Sequence, residues 1–181
     1  MRRASLDPGV WKMGLAISVD GVITEAHAVR VDRCLLWSFA AAINAVVDAA
    51  KLDLDPQRAR DLTWHGALPS HWTIENPQVY PSVGKVGSAA DVKKLEDLAG
   101  NLARDLRSFS CKTKLVRPNA WKANVPKRTH HRRIRKYLTP EELVIFDVDY
   151  GDAVLDVRDA VALELFALGR VGRGGTRRHR R

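Results

Sequence analysis

Near the N-terminus, residues 4–31 read ASLDPGVWKMGLAISVDGVITEAHAVRV. A short apolar run ends in Asp7, which is followed by a Pro-Gly pair that favours a turn. Two runs rich in apolar and β-branched residues, 11–19 and 22–31, then flank Asp20-Gly21, a dipeptide typical of a two-residue hairpin turn. The segment therefore predicts a short strand followed by an antiparallel hairpin.

Beyond the hairpin, extended and helical patterns alternate. The predicted elements are a helix over 34–52, a strand over 71–75, a helix over 89–107, a strand over 112–116, basic short helices over 118–137, a helix that starts at Thr139-Pro140-Glu141-Glu142, and a final helix over 153–168 capped by Asp152. This order predicts an α/β fold with a mixed central sheet, an initial antiparallel hairpin and flanking helices. We expect one domain over residues 1–170 and a disordered, arginine-rich tail over 171–181.

The composition fits a protein that folds around one core. The chain has 181 residues, 45% of them hydrophobic, and no apolar run approaches the roughly 18 residues that span a bilayer. No secretory signal is visible, so we expect a cytoplasmic protein without a membrane partner. Two cysteines, Cys34 and Cys111, are too few for a disulfide framework or a cysteine-based zinc site.

Positive charge is concentrated in two segments. Residues 112–136 contain ten Lys or Arg and residues 171–181 contain five Arg, with no acid in either. Half of the 30 basic residues therefore lie here, which leaves 15 basic residues against 21 acidic ones elsewhere. Positive patches beside an acidic body predict a polyanionic partner that binds at one place. The alternative is solvated charge, above all for the tail.

Four acids lie where a metal site would need them. Asp7 and Glu75 each end a predicted strand, and Asp156 and Asp159 share one face of the last helix, about 5–6 Å apart. Carboxylates gathered at one sheet edge repel each other unless a cation joins them, and Mg²⁺ and Mn²⁺ prefer oxygen ligands. Singly, each acid has an ordinary alternative: a turn residue, an isolated strand Glu, or acids that complement a helix dipole.

The ordered set resembles the Holliday-junction resolvases of the RuvC type, which have the RNase H-like fold. The resemblance rests on Ser5-Leu6-Asp7-Pro8-Gly9 before the hairpin, then Ile74-Glu75, then the run from Asp156 to Leu163. It implies that Asp7, Glu75, Asp156 and Asp159 are the catalytic metal ligands, with two Mg²⁺ or Mn²⁺ ions per site. The short first strand and the Asn-Pro pair after Glu75 depart from the family pattern, as in divergent phage and prophage members.

The basic segment is similar to the family's stretch that contacts junction DNA. The resemblance implies that Lys122 is a catalytic residue near the scissile phosphate. The expected DNA contacts are Lys122, Lys127, Arg128, Arg132, Arg133, Arg135 and the aromatic Tyr80. For Tyr80, packing in the core is the alternative to stacking on a base. The adjacent histidines His130 and His131 are interpreted as nucleic-acid contacts or surface residues.

The implied activity is hydrolysis of DNA at four-way junctions by paired symmetric nicks. The expected partners are branched DNA and a second copy of the chain, with the 89–107 helix as the candidate dimer interface, in a bacterial or phage-infected host cytoplasm. A less selective RNase H-like nuclease for branched or flap DNA would have the same acids. A non-catalytic DNA-binding protein on this fold, or a small basic ribosomal protein, explains the charge but not the ordered acids.

Overall fold

The computed structural model describes residues 1–9, 12–30, 69–77, 89–108 and 110–176. The strands of this part are β1 (Arg2–Asp7), β2 (Lys12–Val19), β3 (Val22–Arg30), β4 (His71–Glu75) and β5 (Lys112–Val116). Its α-helices are α1 (Ala89–Ser108), α2 (Pro118–Trp121), α3 (Lys127–Ile134), α4 (Pro140–Phe146) and α5 (Val154–Ala167). The helix predicted over 34–52 and the predicted base-stacking residue Tyr80 lie outside the described residues.

The sheet is mixed, with strand order β3-β2-β1-β4-β5. The first three strands are antiparallel, and β1, β4 and β5 are parallel to one another. Asp20 and Gly21 form the β2–β3 turn with φ of 51° and 88°, the left-handed values that a two-residue hairpin turn requires. The predicted α/β architecture, with its initial hairpin and mixed sheet, is therefore confirmed.

Both faces of the sheet are covered. Side chains alternate along a strand, so Leu6 faces one side and its neighbours Ser5 and Asp7 face the other. On the Leu6 side, α1 packs buried residues such as Leu102 against the sheet. On the Asp7 side, α5 packs across the first three strands. In the described residues, no helix is long and apolar enough to cross a membrane.

Helix α5 lies unusually close to the sheet at its first turn. A Cβ atom added to Gly14 in β2 would be 2.0 Å from the carbonyl oxygen of Asp156, which is far inside van der Waals contact. Gly14 is also the cross-strand partner of Asp7. The missing side chain of Gly14 therefore allows the first turn of α5 to approach the end of β1.

Two carboxylates are buried against the hairpin. Glu164 of α5 is fully buried and accepts hydrogen bonds from Ser5 Oγ at 2.5 Å and Ser18 Oγ at 2.6 Å. Glu142 forms a capping box with Thr139 at the predicted start of α4, and it also accepts a hydrogen bond from the backbone N–H of Ile23. These contacts join α4 and α5 to the first hairpin, since a buried carboxylate must keep hydrogen-bond partners.

The contact between Glu142 and Arg170 predicts acid-sensitive stability. Burial alone would raise the pKa of Glu142, but hydrogen bonds from Arg170 and from backbone N–H groups lower it. A carboxyl with a lower pKa in the folded state stabilises the fold above its unfolded pKa, and this contribution disappears as the pH falls through the folded value. Glu142→Gln is expected to lower the free energy of unfolding by about 2 kcal/mol at pH 7, and by less at pH 3.

Urea denaturation at both pH values measures this effect. The exposed Glu96 of α1, changed to Gln, is the control and is expected to leave both values within about 0.5 kcal/mol. A loss from Glu142→Gln that is equal at pH 3 and pH 7 would contradict the assignment, because only the ionised carboxylate pairs with Arg170.

Two details differ from the sequence predictions. Asp152 does not cap the last helix: it lies in a 3-10 turn at Gly151–Ala153 and pairs with Lys12 at 3.3 Å, and Ala153 takes the cap position without a side-chain hydrogen bond. Residues 171–176 are packed instead of forming a disordered tail, because Val171 is buried and Arg133 donates to the carbonyl oxygen of Gly174. Residues 177–181 lie outside the described part.

Candidate functional site

The first two predicted acids lie side by side at one edge of the sheet. β1 and β4 are parallel neighbours with Leu6 in register with Ile74, so the next residue along each strand, Asp7 and Glu75, ends at the same edge. Strand alternation turns both side chains toward the face covered by α5. Both are only 6% exposed. The geometry therefore gathers two carboxylates, 68 positions apart in sequence, into one buried place.

The first turns of α5 add the other two acids. Asp159 is fully buried, whereas Asp156 is partly exposed. The close approach of α5 at Gly14 brings this end of the helix over the end of β1. Burial raises the pKa of Asp7, and the nearby negative charges of Glu75 and Asp159 raise it further. All four predicted metal ligands thus lie in one cluster.

Two lysines of the basic segment reach into this cluster. Lys122 Nζ lies 2.9 Å from Glu75 Oε2 and 2.9 Å from Asp159 Oδ2. Lys127 Nζ lies 2.9 Å from the same Asp159 oxygen and 3.7 Å from Asp156 Oδ1. Lys122, the predicted catalytic lysine, and Lys127, a predicted DNA contact, therefore join the acids directly. Lys122 is 14% exposed and Lys127 is 47% exposed.

The pKa values show how charge is shared among these groups. Burial raises the pKa of Asp7, and the negative charge of Glu75 raises it further. Asp159 has a lowered pKa although burial alone would raise it, because His131 and the two lysines donate to it or lie beside it. Burial would lower the pKa of Lys122, but the surrounding carboxylates outweigh this and raise it. These partners favour the ionised form of Asp159, whereas burial and the neighbouring carboxylates favour the protonated form of Asp7.

This imbalance fits a divalent cation. Among the described residues, Lys122 and Lys127 form ion pairs with Glu75, Asp156 and Asp159 but not with Asp7. Carboxylate oxygens are the ligands that Mg²⁺ and Mn²⁺ prefer. A bound cation would favour the ionised form of Asp7, whose pKa its present surroundings raise. The donor set therefore fits the predicted metal through its chemistry and its unmet charge.

Two aromatic residues that are not among the predicted metal ligands, Trp121 and His131, complete the cluster. Trp121 is buried and donates its indole N–H to Glu75 Oε2 at 3.0 Å. His131 is also buried, and its Nε2 lies 2.8 Å from Asp159 Oδ1. Because an ionised carboxylate only accepts, the ring nitrogen that faces it carries the proton. A signal was present in the sequence: His131 follows Lys127 by four positions, so both side chains point to the same side of α3.

The interpretation of His130 and His131 as surface residues or nucleic-acid contacts is wrong, because both are buried. Together with Asp159, they form a group of three possible metal ligands among the described residues. One nitrogen or oxygen atom from each of the three residues lies within 4.8 Å of the other two. Two ammonium groups already contact Asp159 Oδ2, however, and a cation held by these three residues would lie beside them. We therefore interpret His131 as a hydrogen-bond donor to Asp159.

The predicted DNA-contacting arginines differ in their surroundings. Arg128 and Arg132 are exposed on α3 and make no ion pair with any described residue. Arg133 and Arg135 are also exposed, but Arg133 donates to the carbonyl oxygen of Gly174 and Arg135 pairs with Asp147. The first pair is therefore available to a polyanion, whereas binding by the second pair would compete with contacts inside the protein.

Solved structures with the same architecture are known. RuvC from Thermus thermophilus, in a complex with a Holliday junction substrate, matches with a TM-score of 0.52 over 93% of each chain at 14% sequence identity. The chain has an RNase H-like fold of the RuvC type. The Holliday junction resolvase of fowlpox virus matches this RuvC-type fold with a TM-score of 0.50 at 14% identity, over 93% of this chain and 98% of the viral one.

The comparisons that use sequence find nothing similar. No protein-family model matches the chain, and no curated protein does. The likeness to the RuvC-type fold is therefore one of architecture at low sequence identity. Within that fold, the residues that carry chemistry have to be identified from their own contacts.

Proposed function

We propose that this protein is a metal-dependent endonuclease that resolves four-way DNA junctions by paired symmetric nicks. One observation carries the proposal. The four acids that the sequence predicts as metal ligands converge at one edge of the sheet, and Lys122 and Lys127 of the basic segment reach them there. The resolvases with this architecture, one of them in a complex with a Holliday junction substrate, support the choice of substrate.

The proposed cation ligands are Asp7, Glu75, Asp156 and Asp159, which would hold two Mg²⁺ or Mn²⁺ ions. Such ions supply an activated water and stabilise the leaving 3′-oxygen in phosphodiester hydrolysis. The protein supplies the orientation of the carboxylates and the exclusion of bulk water, since Asp7, Glu75 and Asp159 are buried. Lys122, the proposed catalytic lysine, holds a positive charge next to these acids, where it can offset charge that develops on the phosphate.

Branched DNA would bind along the basic segment. Lys122 and Lys127 lie at the acids, and the exposed arginines of α3 extend the positive surface away from them. The proposed contacts are Lys122, Lys127, Arg128, Arg132, Arg133 and Arg135, with Tyr80 as a proposed stacking residue. Such contacts to phosphates supply affinity without reading sequence. This surface therefore suits a substrate recognised by its shape.

Two symmetric cuts in a two-fold substrate are best made by a two-fold dimer. We propose a homodimer with α1 as the candidate contact. Leu102 and Leu106 of α1 are buried against the sheet, and its outer face carries charged side chains such as the Lys93–Asp97 pair. An interface through that face would be polar, and its dissociation is expected to depend on salt concentration. Sedimentation at low and high salt measures this.

The first experiment uses a labelled synthetic four-way junction with Mg²⁺ or Mn²⁺, beside a matched linear duplex. Paired symmetric nicks in the junction alone are the expected result. Asp7→Asn is expected to lower the cleavage rate at least about 100-fold, because the change removes one of the four carboxylates. If the protein binds the junction but does not cut it with either metal, the proposed nuclease activity is contradicted. The protein would then be a DNA-binding protein with this fold.

A less selective nuclease for branched or flap DNA is the alternative with the same acids. It differs in one measurable property, because it would cut a flap and a four-way junction at comparable rates. A panel of junction, flap and duplex substrates at equal concentration separates the two functions. Preference for the junction by about tenfold or more supports the resolvase.

A further inference from the structure

We propose that Trp121 and His131 are positioning residues, which orient Glu75 and Asp159 for cation binding through one N–H group each. The inference rests on the proposed function and assigns a role inside the same site. Neither residue is offered as a metal ligand or as a group that touches DNA. They act by fixing the direction in which two buried carboxylates point.

The contact at Glu75 is well defined. The indole N–H of Trp121 is a donor only, and a buried Trp keeps a hydrogen-bond partner. Trp121 is 1% exposed, and the acceptor for its N–H is Glu75 Oε2. Lys122 approaches the same oxygen and also lies over the indole ring, 4.6 Å from its centroid. The rigid indole, unlike the flexible lysine, holds Glu75 from one fixed direction.

At Asp159, the two oxygens have different kinds of partner. Oδ2 contacts the ammonium groups of Lys122 and Lys127, which end flexible side chains. Oδ1 contacts His131 Nε2, and the imidazole is fixed by burial and by an edge contact with Phe146. Cation binding at Oδ2 would compete with the ammonium groups but would leave the histidine contact unchanged. His131 can therefore orient Asp159 both with and without a metal.

The two donors belong to one packed unit. The rings of His130 and Trp121 pack in a T-shaped arrangement, with centroids 5.2 Å apart. Behind it lies Gly175, where an added Cβ would be 3.3 Å from the His130 ring. Both ring nitrogens of His130 lack a hydrogen-bond partner among the described residues. His130 thus shares the burial and the helix of His131 but does not hold a carboxylate, which makes it the matched control.

The test measures Mn²⁺ binding by the full-length protein without DNA, by calorimetry and by the electron paramagnetic resonance of free Mn²⁺. His131→Leu and Trp121→Phe each remove one donor and are expected to weaken Mn²⁺ binding about 10- to 100-fold. His131→Gln keeps an N–H group at similar reach and is expected to stay within about threefold of the wild type. His130→Leu is expected to stay within about threefold as well. Thermal melts without metal show which variants are folded.

The outcomes separate this inference from the proposed function. If wild-type protein binds Mn²⁺ and His131→Leu and Trp121→Phe bind it equally well, the positioning role is overturned while the metal site stands. If His130→Leu weakens binding as much as His131→Leu, the loss does not depend on donation to a carboxylate, which also overturns the inference. If wild-type protein does not bind Mn²⁺, both proposals are overturned. Should His131→Leu fail to fold, Trp121→Phe, compared with His131→Gln and His130→Leu, decides the question.

Discussion

The Asp159→Asn variant is expected to cut a four-way junction at least ~1000-fold more slowly than the wild type, in Mg²⁺ and in Mn²⁺. Asp159 is the fully buried acid of the cluster, and it contacts Lys122, Lys127 and His131. Its lowered pKa means that it is charged throughout the neutral range. The change to Asn keeps the shape but removes that charge, so it removes both a proposed cation ligand and the partner of two lysines.

A single-turnover assay with excess protein measures the rate without a contribution from product release. Asp149→Asn is the matched control, since Asp149 is exposed and, within the part of the chain that the structure describes, its side chain accepts a hydrogen bond only from the backbone N–H of Gly151. It is expected to cut at the wild-type rate. If Asp159→Asn remains folded and cuts within tenfold of the wild type, the acidic cluster is not the catalytic centre, and the active site would have to be sought elsewhere.

The Lys122→Met variant is expected to change cleavage and metal binding in opposite directions. Lys122 lies between Glu75 and Asp159, at 2.9 Å from an oxygen of each, so its ammonium group competes with a cation for both. Removing it is expected to tighten Mn²⁺ binding about tenfold. Junction cleavage at saturating metal is nevertheless expected to fall about 100-fold or more, because a positive charge proposed to face the scissile phosphate is lost.

Both quantities can be measured on the same preparations, by calorimetry for Mn²⁺ and by single-turnover cleavage at saturating Mn²⁺. Lys94→Met, on the exposed surface of α1, removes the same charge far from the acids in sequence and is expected to change neither quantity. Weaker Mn²⁺ binding by Lys122→Met would show that the lysine supports the metal site instead of competing with it. If cleavage by Lys122→Met at saturating metal is unchanged, Lys122 is not a catalytic residue.

The sequence was sufficient to predict those parts of the site that depend on position along the chain. Asp7 and Glu75 were predictable because each ends a strand, and parallel strands end at the same edge. Asp156 and Asp159 were predictable because their spacing of three places them on one helix face. These rules are local, and the order of the elements is enough to bring the four acids together.

The parts that depend on tertiary packing could not be predicted in the same way. Histidine neighbours in a strongly basic segment are usually solvated, and only the packing of α3 against α5 buries His131 at Asp159. Likewise, Asp152 follows the usual pattern of a helix cap but pairs with Lys12 from the distant hairpin. In both cases a contact between residues far apart in sequence determines what the side chain does. Local sequence propensities do not predict such contacts.

The hydrogen bond from Ser5 to Glu164 joins residues 159 positions apart, and it has a consequence for biosynthesis. Helix α5 covers the inner face of β1, β2 and β3, so this face stays uncovered until residues 154–167 have left the ribosome. Folding that depends on such distant pairing is slow, and the growing chain needs protection from aggregation meanwhile. The same dependence keeps the acids apart during translation, so a partly made chain cannot assemble the cluster.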